Sequence, residues 1–186
     1  MIVYESLFIS MRIIRSCGLA GLILMKGRIF ILMGSKSDLQ FAKRIGNFID
    51  GEGFNVEYEY AVSSAHRTPD LLVEKIRRLE EDGNRVVIIT VAGLSDALSG
   101  AAAGLSTCPV IACPPDIDRY GFAKMFSSVI TPTGVPVMLV ARPENAALAA
   151  VKILALSDLS LQQAVRRYIN KKRREVIEAD EEISKK

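Results

Sequence analysis

Short, continuous apolar runs alternate with amphipathic segments along most of this chain of 186 residues. The first run, residues 29–33, ends in Gly34 and is typical of a strand buried on both faces. Further strands are predicted near residues 56–62, 86–91, 109–112 and 135–140, and helices near 41–49, 69–81, 97–104, 120–130 and 143–156. Strands and helices that alternate at this spacing indicate βαβ units and a parallel sheet.

The pattern therefore predicts the α/β class, as a three-layer αβα sandwich around a parallel sheet of about five strands, with a flavodoxin-like architecture. In such sheets ligands bind outside the carboxyl ends of the strands. We expect the loops at residues 34–38, 63–68, 92–100 and 113–119 to gather into one site. The catalytic domain is predicted to span residues 25–157.

The two ends of the chain differ from this domain. Residues 1–24 show no clear amphipathic period, and their apolar stretch is too short to span a bilayer. We expect them to be an extension outside the fold, since Met25 precedes the first strand directly. A signal peptide is disfavoured, because Lys26 and Arg28 follow where small cleavage-site residues should stand.

Residues 158–186 are predicted to form a C-terminal helical tail. Leu161, Val165, Ile169 and Val176 share one stripe, which we expect to pack on a neighbouring subunit. The basic run at residues 171–174 is interpreted as a solvated helix face, with nucleic-acid contact as the lesser alternative.

Composition restricts the partners and the chemistry. Lys and Arg total 24 against 21 Asp and Glu, and this net charge of +3 indicates neither a nucleic acid nor a membrane partner. Three cysteines without a C-x-x-C pair favour a reducing compartment, the cytoplasm. No cluster has metal-ligand spacing, and the chain has a single histidine. We expect neither a metal nor another cofactor.

The first candidate motif, GSKSD, lies where the first strand meets the first helix. Backbone N–H groups and hydroxyls at such a helix start can hold an anion, so Gly34, Ser35 and Asp38 are candidate ligands of a phosphomonoester or a ribose. The motif fits neither a triphosphate loop nor a dinucleotide crossover. Simple capping of the helix by Ser37 or Asp38 is an equally good interpretation.

The second motif, SSAHRTP at residues 63–69, places hydroxyls, an imidazole and a guanidinium in one loop. Ser64 and Arg67 can bind phosphate or carboxylate, and histidine is the side chain whose unperturbed pKa, about 6.5, lies near neutrality. His66 is therefore the candidate for proton transfer, with a purely structural histidine as the alternative. A Ser–His nucleophile pair is less favoured, because no third orienting acid has an identifiable position.

The third motif, AGLSDALSG at residues 92–100, is rich in small residues. Gly93 and Ser95 would let the backbone approach a flat ligand closely. Tight packing of a helix on the sheet explains the same residues, and by itself would be the better explanation. Cys108 and Cys113 are interpreted as small buried apolar side chains.

Together these segments resemble the phosphoribosylaminoimidazole carboxylase family of purine biosynthesis, which includes the carboxyaminoimidazole ribonucleotide mutases. The match runs from about residue 26 to beyond residue 156. Its most specific parts are MGSKSD and SAHRTP, supported by TPTGVP at residues 131–136 and NAAL at residues 145–148. The resemblance implies that Ser35 and Asp38 bind the ribonucleotide, Ser64 and Arg67 help to hold it, and His66 transfers a proton at the reacting carbon.

The third loop divides the family into two classes. Mutases typically carry a histidine before Leu-Pro-Gly, whereas DALSG at residues 96–100 is similar to the SNALSG of enzymes that carboxylate the aminoimidazole directly with carbon dioxide. Leu94 and Asp96 depart from the arginine and asparagine common in that class. The resemblance thus implies a direct carboxylase, with a mutase as the alternative. It also implies a homo-oligomer, an octamer or alternatively a tetramer.

A non-enzymatic α/β module is the competing class of function. A receiver-like domain needs an acidic residue at the end of the third strand, where this chain has Val91, Ala92 and Gly93. That disfavours a receiver. A relative that binds a nucleotide without catalysis stays open as an alternative.

Overall fold

A single parallel sheet organises the chain. A computed structural model describes residues 27–185, so the predicted extension at residues 1–24 lies outside the described residues. Within that range the strands are β1 (Gly27–Met33), β2 (Glu57–Val62), β3 (Arg85–Val91), β4 (Val110–Ala112) and β5 (Met138–Leu139). They lie in the order β2-β1-β3-β4-β5, and every neighbouring pair is parallel.

The helices connect these strands and cover both faces. They are α1 (Leu39–Gly51), α2 (Pro69–Glu81), α3 (Ala97–Leu105), α4 (Ile117–Tyr120), α5 (Phe122–Val129), α6 (Pro143–Leu154) and α7 (Leu159–Ser184). Short 3-10 turns precede α1 at Lys36–Asp38 and follow α6 at Ala155–Ser157. The predicted three-layer α/β sandwich with about five parallel strands is thus confirmed.

The alternation of side chains along the strands explains the three layers. On β1, Ile29, Ile31 and Met33 face a core built with α1, α6 and the start of α7. Phe30 and Leu32 face the opposite core, built with α2 and α3. Because both faces of β1 and β3 are buried, these strands are continuous apolar runs rather than alternating ones.

Two predicted elements differ from the structure. The helix predicted at residues 120–130 is two helices, since Gly121 has a φ of +55° and breaks the helical path between α4 and α5. The strand predicted at residues 135–140 is only Met138–Leu139. Pro136 lacks the N–H that a ladder needs, and the Val135 carbonyl accepts a hydrogen bond from Thr131 Oγ1 at 2.6 Å.

The predicted tail is one long helix whose first half packs on its own domain. Leu161 and Val165 are buried in the α1/α6 core. Tyr168 lies against Phe48 and Phe54, with ring centroids 5.6 and 5.8 Å away. Only the outer part of the predicted stripe, such as Val176, is exposed and available to a neighbouring subunit. Among the described helices, none has the length and apolar character to cross a membrane.

Candidate active site

A cleft of about 550 Å³ opens at the carboxyl ends of β1, β2 and β3. It lies where the connections from the central strands leave in opposite directions, the position at which open α/β sheets bind ligands. Three loops line it, and they bring together every site residue predicted from the sequence: Gly34, Ser35, Asp38, Ser64, His66, Arg67, Gly93 and Ser95. Ser37, Ala65, Ala92, Leu94 and Leu98 complete the lining.

The first loop is held tightly to the neighbouring strand. The Gly34 N–H donates to the Val91 carbonyl at 2.9 Å, and a Cβ at Gly34 would lie 3.3 Å from that of Ala92. Ser35 Oγ accepts from the Ser37 N–H at 3.3 Å, so the capping interpretation holds for the 3-10 turn, with Ser35 rather than Ser37 as the cap. The Asp38 side chain makes no cap hydrogen bond to α1.

Asp38 is the acidic group of the cleft, and the fold disfavours its charge. Burial raises the pKa of the Asp38 carboxyl above its usual value, and the nearby Asp116 carboxylate raises it further. The Ser35 backbone N–H and the Lys124 ammonium partly offset that rise in pKa. A half-buried carboxyl group next to hydroxyls suits the recognition of sugar hydroxyls.

The second loop is a compact turn that carries His66 outward. Thr68 closes it, since the Thr68 N–H donates to the Ser64 carbonyl at 2.9 Å and Thr68 Oγ1 accepts from the Ser64 N–H at 3.0 Å. The Arg67 N–H donates to Ser64 Oγ at 3.3 Å. His66 and Arg67 are both exposed, so this histidine is not part of the apolar core. Its imidazole can reach a ligand in the cleft.

The third loop contains a strained residue. Leu94 has a φ of +56°, the left-handed region that bulky side chains rarely adopt, and its side chain is exposed. The loop ends at Asp96, whose buried carboxylate caps α3 by accepting from the Ser99 N–H at 3.1 Å. Ser99 Oγ also contacts Thr90 Oγ1 at 2.7 Å. Both explanations of the small residues thus apply. The start of α3 packs closely on β3 through Ser99 and Thr90, and Gly93 and Ser95 line the cleft.

The fourth loop does not line this cleft, so the prediction that all four loops would do so is wrong. Residues 113–119 lie behind the third loop and face a separate hollow beside Arg44 and Arg142. The loop contacts the third loop of the site through Asp116, whose Oδ2 accepts from the Leu94 N–H at 2.6 Å, and Pro115 lies close to Gly93. Cys113 is fully buried as expected, and burial raises the pKa of its thiol to about 12.

Sequence reasoning missed Asp116 and Lys124. Lys124 is buried on α5, and its Nζ donates to the Leu94 carbonyl at 2.7 Å and lies 3.7 Å from Asp116 Oδ1. A lysine on an amphipathic helix is ordinarily interpreted as solvent-facing. No spacing in the sequence connects it with Asp116 or with Leu94.

The strand order and the polar cleft at the junction of β1 and β3 define a ligand-binding α/β protein of the flavodoxin-like architecture. The family model described as AIR carboxylase matches residues 28–175. The chain belongs to the AIR carboxylase family, and it is an enzyme of the carboxylase and mutase group of purine biosynthesis.

Similar proteins carry both of these activities in their names. The chain is 44% identical over 153 residues to a phosphoribosylaminoimidazole carboxylase of Archaeoglobus fulgidus, covering 82% of this chain and 83% of that protein. It is 41% identical over 157 residues to an N5-carboxyaminoimidazole ribonucleotide mutase of Methanocaldococcus jannaschii, covering 83% and 96%. The crystal structure of Treponema denticola PurE has a TM-score of 0.80 at 35% identity, covering 84% of this chain and 98% of that one.

The raised pKa of Asp38 predicts a pH-dependent stability difference. Because the folded chain holds this proton more tightly than the unfolded chain, the group's contribution to stability falls as pH rises through the folded pKa. An amide does not titrate. The stability of Asp38→Asn relative to wild type should therefore increase as pH rises from about 3 to about 7.

Urea unfolding at several pH values measures this difference. Asp180→Asn, which removes an exposed carboxylate from α7, is the control for loss of a negative charge and should show a smaller trend. A relative stability of Asp38→Asn that stays constant or declines with pH would contradict the assigned burial.

Proposed function

We propose that this enzyme carboxylates 5-aminoimidazole ribonucleotide directly with carbon dioxide, giving 4-carboxy-5-aminoimidazole ribonucleotide. The observation that supports this most is the position of His66. The single histidine of the chain stands exposed in a cleft that also presents a carboxyl group, serine hydroxyls and an arginine. This set can anchor a sugar phosphate and move one proton.

The chemistry needs little beyond positioning and a base. The aminoimidazole is an enamine, so its ring carbon 4 attacks the carbon of carbon dioxide, and one C=O electron pair moves to oxygen to form a carboxylate. Carbon 4 then bears both a hydrogen and the carboxylate. The C–H bond breaks, its electrons restore the aromatic ring, and the neutral His66 imidazole takes the proton and returns it to solvent.

The remaining residues bind and orient the reactants. Arg67 can hold the phosphate, and Ser35, Asp38 and Ser64 can hydrogen-bond the ribose and phosphate oxygens. Binding energy from these remote groups positions the ring beside His66. Carbon dioxide would bind on the side of the cleft lined by Gly93, Ser95 and Gly34, where the residues are small.

The third loop favours the carboxylase over the mutase. The histidine that mutases typically carry there is absent, since His66 is the only histidine in the sequence. At residues 96–99 the polar groups are turned into the protein: Asp96 Oδ2 accepts from Ser99 Oγ at 2.6 Å and from Ser128 Oγ at 2.8 Å. This part of the site supplies packing rather than a second proton-transfer group.

Replacing the imidazole tests the role of His66. His66→Asn should keep the fold, because the side chain is exposed, and should keep ribonucleotide affinity, yet lose about 10²–10⁴-fold in turnover. A direct spectroscopic assay of the carboxylated product measures the turnover, and calorimetry measures binding. Near-normal turnover would contradict the assignment. Binding by the wild type with no product formed would indicate a non-catalytic relative instead.

The choice of carbon source separates the two activities. Purified enzyme should consume aminoimidazole ribonucleotide when carbon dioxide or bicarbonate is supplied, and should use the N5-carboxylated ribonucleotide poorly. Carbonic anhydrase identifies which carbon species is used, because it equilibrates carbon dioxide and bicarbonate at once. If carbon dioxide is the substrate, the initial rate should be higher with fresh carbon dioxide than with bicarbonate, and this difference should disappear when carbonic anhydrase is added. Efficient turnover of the N5-carboxylated substrate without free carbon dioxide would establish the mutase.

We also propose that the enzyme is a cytoplasmic homo-oligomer, an octamer with a tetramer as the alternative. Exposed apolar side chains support this: Phe122, Phe126 and Ile130 at α5, and Val176 and Ile183 on α7. Patches of this kind mark association surfaces. Light scattering should give a particle of eight chains of 20.4 kDa each, and a monomer at micromolar concentration would contradict the proposal.

A further inference from the structure

We infer that Asp116 and Lys124 form a clamp on the Leu94 peptide groups that positions the third loop for the carboxylation step. This inference rests on the proposed function for its catalytic consequence, while the clamp itself rests on contacts within the chain. Neither residue lines the cleft. Both are therefore positioning residues, which act through Leu94 on the wall formed by Gly93 and Ser95.

The two side chains hold both polar backbone groups of one residue. Asp116 Oδ2 accepts from the Leu94 N–H at 2.6 Å, and Lys124 Nζ donates to the Leu94 carbonyl at 2.7 Å. Leu94 has a φ of +56°, which a leucine adopts only where its surroundings impose it. The clamp supplies that constraint, because the exposed Leu94 side chain gains little from packing.

The two charges of the clamp are buried, which costs desolvation free energy, so their role is to hold the Leu94 peptide groups rather than to stabilise the fold. The Lys124 side chain is only 1% exposed and that of Asp116 is 17% exposed, so each charge depends on the other for compensation. Asp116 Oδ1 is buried and accepts no hydrogen bond within the described residues, so its compensation is the Lys124 ammonium at 3.7 Å. Apolar side chains of similar volume would fill this space without that desolvation penalty.

A second anchor on the same segment fixes the end of the loop. The Asp96 N–H donates to Ser127 Oγ at 2.8 Å, and Ser128 Oγ donates to Asp96 Oδ2 at 2.8 Å. The segment from Asp116 through α5 thus hydrogen-bonds the third loop at two places, Leu94 and Asp96. Gly93 lies close to the Asp116 carboxylate, since a Cβ at this position would lie 3.2 Å from Asp116 Oδ2.

We expect that weakening the clamp affects the kinetics for carbon dioxide more than the binding of the ribonucleotide. The groups proposed to hold phosphate and ribose lie on the other two loops, and of the two clamp charges each acts on Asp38 only through space. Weakening the clamp should therefore change ribonucleotide affinity less than it changes the kinetics for carbon dioxide. The third loop forms the side of the cleft proposed for carbon dioxide. Misplacement of that wall should lower kcat and raise the KM for carbon dioxide.

Lys124→Met is the first test, because methionine has a similar length but cannot donate to the Leu94 carbonyl. At saturating ribonucleotide, kcat/KM for carbon dioxide should fall about tenfold or more, while the Kd of the ribonucleotide changes by a clearly smaller factor. Lys152→Met, which alters an exposed lysine on α6, is the matched control and should change neither quantity.

Asp116 provides a conservative pair. Asp116→Asn keeps an oxygen that can accept from the Leu94 N–H, whereas Asp116→Ala removes the acceptor. Both variants remove the charge that compensates Lys124, so the difference between them reports the acceptor for the Leu94 N–H, and we expect Asn to retain more activity than Ala. If Lys124→Met leaves the buried carboxylate uncompensated and does not fold, the double variant Asp116→Asn/Lys124→Met removes both charges and replaces it in the assay.

Amide hydrogen exchange separates failure of the clamp from failure of the proposed function. Exchange at residues 93–96 should accelerate in Lys124→Met and Asp116→Ala and stay at the wild-type rate in Lys152→Met. Unchanged exchange, or unchanged kinetics for carbon dioxide in a folded Lys124→Met enzyme, would overturn the clamp. Accelerated exchange in a protein whose wild type does not carboxylate would overturn the proposed function and leave the clamp standing.

Discussion

The parallel pairing of β1 with β3 determines where the chemistry of this protein can occur. Seven paired positions, from Gly27 with Arg85 to Met33 with Val91, set the two strands side by side, and the Gly34 N–H extends the pairing to the Val91 carbonyl. A slip of one residue would turn the side chains of a doubly buried strand into the wrong core. The register is therefore held by packing on both faces, and it places the first and third loops next to each other. β2, on the other side of β1, brings His66 to the same edge.

Charged groups in and beside the cleft at this edge are buried to a degree that does not favour folding. Asp38 is half-buried with a raised pKa, and Lys124 is buried under the third loop. The Asp116 carboxylate contributes to the raised pKa of Asp38 and lies 3.7 Å from the Lys124 ammonium. Leu94 adds a left-handed backbone to the same region. Locally unfavourable conformations and charges of this kind persist where the surrounding fold imposes them, and they are common at functional sites. Here the imposing structure is the segment from Asp116 through α5.

Much of the fold and the cleft lining follows from local sequence patterns, whereas the supporting contacts do not. Continuous apolar runs identified β1 and β3, because burial on both faces leaves no polar position to interrupt them. That these three loops would meet at one cleft was predictable, because parallel strands end at one edge. Lys124 was not predictable, since its partners Leu94 and Asp116 are distant in sequence. The break at Gly121 and the short β5 were missed because each depends on one residue's backbone chemistry.

The most direct test of the account is a crystal structure of the enzyme with aminoimidazole ribonucleotide bound. The account predicts the phosphate at Arg67, the ribose beside Ser35 and Asp38, and ring carbon 4 within about 3.5 Å of an imidazole nitrogen of His66. Carbon 4 of the ring should also be open toward Gly93 and Ser95, where carbon dioxide would enter. A ribonucleotide bound with its ring directed away from His66 would contradict the central claim that this imidazole carries the proton.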